Sequence, residues 1–225
     1  ISRLQKPHNL VAIAHPKLRG AYSLDDMRYL SGYDCMEVLN HIGRSREHWD
    51  AALSAGLPIY LISSDDSHNY KDLGKSGQNI TVFKTEDQST AGIINAIKMG
   101  QAFGIDLRSG SRNMQIRKSE IAQVALPTKF ELEGDSLKVA FSQVANWIKF
   151  VGQNGEIKKQ ITHANYAAYP LKENDTYIRL VAEFSQPGAH LYFNPVFRYE
   201  NQLPLNVLPP VNARQTRLYR LSRER

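Results

Sequence analysis

The sequence predicts an α/β region over residues 1–110, followed by a small antiparallel β-sandwich over residues 111–225. Up to about residue 104, short apolar runs alternate with longer amphipathic stretches, a pattern typical of parallel strands covered by helices. After about residue 110 the apolar runs become shorter, several have a period of two, and turn residues separate them. With 225 residues, 42% of them hydrophobic, the chain is large enough to bury a core.

Strands and helices alternate in the first region. In chain order we expect a strand at 9–15, a helix at 23–30, a strand at 33–39, a helix at 45–55, strands at 58–63 and 79–83, and a helix at 89–99. The first strand is an apolar run bounded by Pro7 and Pro16, as expected for a strand buried on both faces of a parallel sheet. Ser23 and Asp26 have capping-box spacing, and Gly56 suits the C-cap of the second helix.

Turn signals divide the second region. Gly134–Asp135, Asn154–Gly155 and Pro187–Gly188 separate its short apolar runs. Asn154–Gly155 lies between runs at 147–152 and 156–161, and an Asn-Gly pair in that position favours a tight hairpin. We therefore expect antiparallel pairing throughout this region.

The basic charge of the chain raises the question of nucleic-acid binding. The formal net charge is +6 and the sequence pI is about 9.3. Much of the excess lies in a C-terminal tail whose only acidic residue is Glu224; its basic residues are Arg214, Arg217, Arg220, Arg223 and Arg225. No base-reading motif accompanies this tail, so a solvated end is the favoured interpretation and a nucleic-acid binder is the least favoured.

Composition also excludes two classes of feature. The longest apolar stretches, Leu10–Ala14 and Pro58–Ile62, are far shorter than the roughly 20 residues that span a bilayer, so no transmembrane helix is expected. Cys35 is the single cysteine, which excludes an intrachain disulfide and a Cys-rich zinc site. A metal ion would therefore have to be held by histidines and carboxylates.

Polar residues stand where the predicted strands of the first region end. His15 follows the first strand, Glu37 and Asn40 lie toward the end of the second, and the segment Ser64–Asn69 follows the third. Ligand sites of parallel α/β folds lie at the carboxyl ends of strands, where residues from different strands meet. Their positions in the chain therefore make these residues candidates for a ligand site.

Asp66 and His68 are the strongest candidates within the third segment. In extended backbone, residues two apart present their side chains on one face. A carboxylate and an imidazole together suit zinc, manganese or iron, with Asp65 turned away to orient a ligand. The same residue types also make turns and helix caps, so the spacing leaves both interpretations open.

Five segments together resemble a known family. They are Ile13–Pro16, Tyr33–Asn40, Trp49–Gly56, Ile62–Asn69 and Ile93–Gly100. In order and spacing they are similar to the C-terminal portion of the polymerase-and-histidinol-phosphatase (PHP) family of metal-dependent hydrolases. The second region resembles the sandwich appended in the carbaryl-hydrolase-like branch, through Tyr177–Arg179 and Asn194–Pro195.

The resemblance implies that residues 1–110 are the C-terminal part of a distorted seven-stranded β/α barrel. It implies divalent metal ions (zinc, manganese or iron) that activate water to hydrolyse a phosphoester or a related substrate. His15, Asp66 and His68 then correspond to metal ligands, and Asp66 and His68 also to catalytic residues. Residues expected to line the pocket are Glu37, Asn40, Asp65 and Asn69, and those expected to attract an anionic substrate are Lys17, Arg19 and Arg44.

The resemblance is incomplete at the N-terminal side. The family's opening His-x-His and several further His and Glu ligands have no counterpart in this sequence. Either a preceding portion of the same protein carries them, or this protein has lost them. We expect this chain alone to be nearly inactive. The alternative is a non-catalytic binding or scaffolding protein with a degenerate half-site. Both the bacterial cytoplasm and the periplasm are compatible with the sequence.

Overall fold

Two sheets make up most of the structure, a computed structural model that describes residues 9–69, 71, 74, 76–107, 111 and 113–198 and the backbone of 199–200 and 203–204. The fold is mixed α/β with a majority of strands. The arginine-rich tail lies outside the described residues. No helix in the described part of the chain is long and apolar enough to cross a membrane.

The first sheet is parallel and has three strands. β1 (Ala12–Ile13), β2 (Cys35–Asn40) and β3 (Tyr60–Ser64) lie in that order, and both pairings are parallel. α1 (Leu24–Tyr29) lies between β1 and β2 in the chain, and α2 (Arg46–Ser54) between β2 and β3. The predicted parallel arrangement is confirmed for these strands. Every residue of the central strand β2 is buried, as expected for a strand covered on both faces.

Local signals place the two helices. Ser23 and Asp26 form the predicted capping box: the Ser23 Oγ accepts from the Asp26 N–H at 3.1 Å, and the Ser23 N–H donates to the Asp26 carboxylate at 2.7 Å. In α2, the fully buried Trp49 donates from Nε1 to the carbonyl oxygen of Ile59 at 2.8 Å. This bond fixes the helix against the start of β3.

The second sheet has eight strands, and all of its pairings are antiparallel. The strands are β4 (Asn79–Phe83), β5 (Ala102–Asp106), β6 (Pro127–Glu133), β7 (Ser136–Val151), β8 (Ile157–Pro170), β9 (Tyr177–Phe184), β10 (Ala189–Phe193) and β11 (Val196–Phe197). α3 (Thr90–Lys98) connects β4 to β5, and α4 (Met114–Ala122) connects β5 to β6. Beyond them, β12 (Tyr199–Glu200) pairs with β13 (Leu203–Pro204).

β4 was expected to continue the parallel sheet, and this expectation is wrong. β4 runs antiparallel to β5, from Asn79 opposite Asp106 to Phe83 opposite Ala102. The cause is β5, a strand that the sequence pattern did not indicate and that takes the backbone hydrogen bonds of β4. The described residues therefore form a small parallel sheet beside a larger antiparallel one, and not a β/α barrel.

The antiparallel character of the second region is confirmed, but a single curled sheet replaces two separate ones. The first part of β7 pairs with β6, and its last part, Trp147–Val151, pairs with β9. The bend between them brings Phe130 of β6 to 4.7 Å, between ring centroids, from Phe193 of β10. β4 and β5 join this sheet from the N-terminal side of residue 110. The predicted hairpin at Asn154–Gly155 connects β7 to β8, with both residues at positive φ.

The small parallel sheet packs closely against β5. A Cβ placed on Gly104 of β5 would lie 2.8 Å from the Cδ1 atoms of Leu39 and Leu61. Those side chains belong to β2 and β3, so the absence of a side chain at Gly104 is what permits the close approach. Tertiary contact, and not a turn, explains this glycine.

A buried ion pair joins α2 to the curled sheet. The carboxylate of Asp50 accepts from Arg179 Nε and Nη2, both at 2.7 Å, and from the Tyr177 hydroxyl at 2.9 Å. The Arg179 guanidinium also lies 5.1 Å from the ring centroid of Trp49. Burial acts to lower the pKa of Arg179, but the charge and hydrogen bonds of Asp50 outweigh it and raise that pKa. Arg179 is therefore charged in the folded protein.

Removing one member of this pair should destabilise the protein strongly. We expect Asp50→Ala to lower the free energy of unfolding by about 3–5 kcal/mol, because Arg179 would stay buried without a counter-ion. The double variant Asp50→Leu/Arg179→Met should recover much of that loss, since it leaves no unpaired charge. Urea unfolding monitored by circular dichroism measures both. Glu47→Ala, which breaks the exposed Lys17–Glu47 pair, is the control and should change little. Equal losses for Asp50→Ala and Glu47→Ala would contradict the role of the buried pair.

Cys35 should be unreactive in the folded protein. It is fully buried in β2 between β1 and β3. Burial, with the nearby Asp34 carboxylate, raises the pKa of Cys35 to about 12 against the opposing effect of Lys98. Since the thiolate is the reactive form, we expect Ellman's reagent at pH 8 to modify the native chain at less than about one hundredth of the rate in 6 M urea. Comparable rates in the two states would place Cys35 outside the sheet.

Candidate functional site

Glu37 connects the carboxyl ends of all three parallel strands. One of its carboxylate oxygens accepts from the backbone N–H of His15, after β1, at 2.8 Å. The other accepts a short hydrogen bond from the Ser64 hydroxyl, at the end of β3. Glu37 itself lies in β2 and is 5% exposed. The predicted convergence of strand ends is therefore present, and Glu37 organises it through both oxygens.

His15 and Asp66 both have left-handed backbone at this edge. Their φ angles are 30° and 50°, a region that residues other than glycine seldom occupy. The Asp66 N–H donates to the Ser64 hydroxyl at 3.3 Å, which ties the residue to Glu37. The Nδ1 atom of His15 is buried and has no hydrogen-bond partner among the described residues. Strained backbone with an unused ring nitrogen is typical of a site that binds something.

His68 lies beside Asp66, at a bend after β3 and not on an extended strand. Its Nδ1 atom is 2.7 Å from the Asp66 carbonyl oxygen and 3.7 Å from the Asp66 Oδ1. β3 ends at Ser64, so the extended backbone assumed for an Asp-x-His face does not reach these residues. The side chain of His68 is 83% exposed, whereas that of Asp66 is 19% exposed. The backbone after β3 is therefore irregular at these residues, and the two side chains are still close to each other.

Asp65, which was expected to orient a metal ligand, anchors a loop. Its carboxylate accepts from the backbone N–H groups of Gly77, Gln78 and Asn79, the last two at 2.9 and 2.7 Å. These bonds fix the chain just before β4. Asp65 therefore couples the end of β3 to the start of β4.

Asn40 and Asn69, also expected to line the pocket, differ in their surroundings. Asn40 is buried; its Oδ1 accepts from the Ile42 N–H at 2.8 Å, and its Nδ2 has no partner among the described residues. Asn69 is exposed and accepts from the Lys71 N–H at 3.0 Å, so it closes a local turn.

The three predicted metal ligands do not form a metal-binding group by themselves. In the described part of the chain, no three His, Cys, Asp or Glu side chains are grouped so that they could hold an ion. The donors fit an ion only in part: His15 offers an unused buried nitrogen, Asp66 a partly buried carboxylate, and His68 an exposed imidazole.

All three cations predicted to attract an anionic substrate line one pocket with His15. This pocket of about 230 Å³ is lined by His15, Lys17, Arg19 and Arg44, among others. Lys17 is 3.0 Å from the Glu47 carboxylate in an exposed pair, and Arg44 forms a short ion pair with the buried Asp106. Arg19 has no carboxylate partner among the described residues. The pocket therefore places positive charge next to His15.

Two buried polar residues near this edge were not indicated by the sequence. Asp106, which is fully buried, fixes Arg44, and Asn79 stands opposite it in the neighbouring strand. Neither amide atom of the buried Asn79 side chain has a partner among the described residues. Asn79 belongs to β4 and Asp106 to β5, and the two strands are paired. A prediction of β5 from the sequence would therefore have been needed to find them.

Comparison with known proteins adds no relative. No family model, curated protein or solved structure matches the chain.

Glu37 should stabilise the edge of the parallel sheet. Glu37→Ala would leave the His15 N–H and the Ser64 hydroxyl without their acceptor, so we expect a loss of roughly 2–4 kcal/mol in the free energy of unfolding. Glu37→Gln should cost clearly less, because the amide can accept from His15 and donate to the Ser64 oxygen, whose hydroxyl rotates. Urea unfolding measures both, with the exposed Glu86→Ala as control. A Glu37→Ala loss no larger than that of Glu86→Ala would refute this role.

Proposed function

We propose that this chain carries part of the site of a PHP-type metal-dependent hydrolase, most simply a phosphoesterase that uses metal-activated water. The supporting observation is the edge at which His15, Glu37 and Asp66 meet, with a buried, unused nitrogen on His15. In this proposal the three parallel strands with α1 and α2 carry this chain's share of the site. An N-terminal portion of the same protein supplies the remaining strands and ligands.

His15, Asp66 and His68 are the residues that would hold zinc, manganese or iron. A divalent ion bound there would lower the pKa of a coordinated water toward 7 and offset negative charge on the attacked group. Glu37 holds His15 and Ser64 in position, and Ser64 in turn holds Asp66. Three donors, one of them exposed, would retain an ion only weakly, which is why the proposal requires further ligands.

The substrate in this proposal is a small anion. Arg19, Lys17 and Arg44 surround the pocket beside His15, and guanidinium groups bind phosphate oxygens through paired, charge-assisted hydrogen bonds. Because Lys17 and Arg44 already contact carboxylates, Arg19 is the cation most available to a substrate. A phosphoester fits this charge better than a neutral ester.

Metal-dependent turnover is the decisive test. We expect the chain alone to bind manganese or zinc weakly and to hydrolyse p-nitrophenyl phosphate barely above background. A polypeptide that includes the N-terminal portion should hydrolyse it when supplied with either metal, and a chelator should abolish the reaction. Turnover and metal content by elemental analysis are measured on both proteins.

Variants of the longer polypeptide identify the ligands. Asp66→Asn and His68→Asn should reduce turnover by at least about a hundredfold, since loss of a ligand weakens the metal and its activation of water. Asparagine is chosen at Asp66 because it tolerates the left-handed backbone there. His163→Asn, at an exposed histidine of β8, is the matched control and should leave turnover unchanged. If the longer protein binds no metal, or its turnover ignores the chelator and both substitutions, a binding or scaffolding role replaces the hydrolase.

A further inference from the structure

A second, larger pocket lies between the helices and the curled sheet. Its volume is about 430 Å³, and it shares no lining residue with the pocket beside His15. α1 and α2 form one wall, and β7, β9 and β10 form the other. The Asp50–Arg179 ion pair contributes to its lining. Its volume falls within the range of small-molecule pockets, roughly 300–1,000 Å³.

Positive charge converges on this pocket from three different elements. Arg28 comes from α1, Arg46 from α2 and Lys149 from β7, and none of them forms an ion pair with a carboxylate in the described part of the chain. The two carboxylates of the lining are already engaged: Asp50 binds Arg179, and Glu47 lies 3.0 Å from Lys17. The pocket therefore holds positive charge without a counter-ion among the described residues.

The sheet side of the pocket is aromatic and apolar. Trp147 is half-buried, with the Lys149 Nζ 4.0 Å from its ring centroid and the His190 ring at 5.7 Å. The buried Tyr192 and Val181 continue this surface. Burial lowers the pKa of His190, against the charge of Glu183, so the positive charge near neutral pH comes from the arginines and the lysine.

We propose that this pocket binds a small organic anion, with a phosphate or carboxylate group between Arg28, Arg46 and Lys149 and an apolar or aromatic body against Trp147 and Val181. Like charges that share a cavity repel each other, and an anion placed among them relieves that repulsion. Glu47, which also lines the pocket, would repel an extended polyanion, and this favours a small ligand over nucleic acid. The proposal does not depend on a metal ion.

Phenylphosphonate is a suitable probe because it has both parts of the proposed ligand and resists hydrolysis. Binding is measured on the whole chain by isothermal titration calorimetry with a chelator present, so that metal at the His15 edge plays no part. We expect saturable binding at least about tenfold tighter than that of phenol, which lacks the charge, and of inorganic phosphate, which lacks the ring. Benzoate in place of phenylphosphonate shows whether the head group is preferably a carboxylate or a phosphonate.

Tryptophan fluorescence locates the binding. The chain has two tryptophans, of which Trp49 is fully buried and Trp147 lines the pocket. Phenylphosphonate should change the emission of the native chain, and Trp147→Phe should remove that change. A signal that persists in Trp147→Phe would place the ligand elsewhere.

Charge-removing variants complete the test. Arg46→Gln and Lys149→Gln should each weaken phenylphosphonate binding by about tenfold, because each removes one charge-assisted contact. Lys118→Gln, at an exposed lysine of α4, is the matched control and should bind as the unmodified chain does. Circular dichroism checks that each variant folds. Affinity no greater than that of phenol, or equal affinity in Arg46→Gln, Lys149→Gln and Lys118→Gln, would overturn the proposal.

Discussion

The relation between the two sheets depends on the buried contact of Asp50 with Arg179. A buried charge without a partner of opposite charge is strongly destabilising. Asp50 of α2 must therefore lie next to Arg179 of β9, and this contact fixes the position of the helix on the strand. Tyr177 completes the coordination of the carboxylate, and Trp49 covers the guanidinium. Because α2 lies between β2 and β3 in the chain, this contact also positions the parallel sheet. Gly104 then permits the close approach of β5 to Leu39 and Leu61 of the parallel sheet.

Two carboxylates hold the loops at the edge of the parallel sheet through hydrogen bonds. Glu37 binds a backbone N–H and a hydroxyl, whereas Asp65 binds three consecutive backbone N–H groups. Each satisfies polar groups that partly buried loops would otherwise leave unpaired. The result is an edge whose loops are fixed while His15 retains an unused nitrogen. Glu37 and Asp65 therefore have a structural role beside the proposed metal ligands His15, Asp66 and His68.

Positive charge is distributed over two neighbouring pockets. Lys17 lines the pocket beside His15, and its partner Glu47 lines the larger pocket, so this one exposed ion pair stands between them. The buried carboxylates Asp50 and Asp106 are each committed to an arginine. Arg19 in one pocket, and Arg28, Arg46 and Lys149 in the other, have no carboxylate partner among the described residues. These cations are the physical basis for expecting an anionic ligand in each pocket.

Sequence patterns were enough to predict the local elements: the parallel strands around Cys35, the capping box at Ser23 and the hairpin at Asn154–Gly155. These depend on short-range periodicity and turn chemistry, which are visible within a few residues. The sequence also indicated that His15, Glu37 and Asp66 follow or lie within strands that share an edge. The partner strand of β4 and the pairing of Asp50 with Arg179 became visible only in the folded chain. The same is true of the left-handed backbone at Asp66. Because of it, Asp66 and His68 do not lie on the extended strand that the sequence predicted. Strand partners and buried ion pairs join residues far apart in the chain, so no local pattern specifies them.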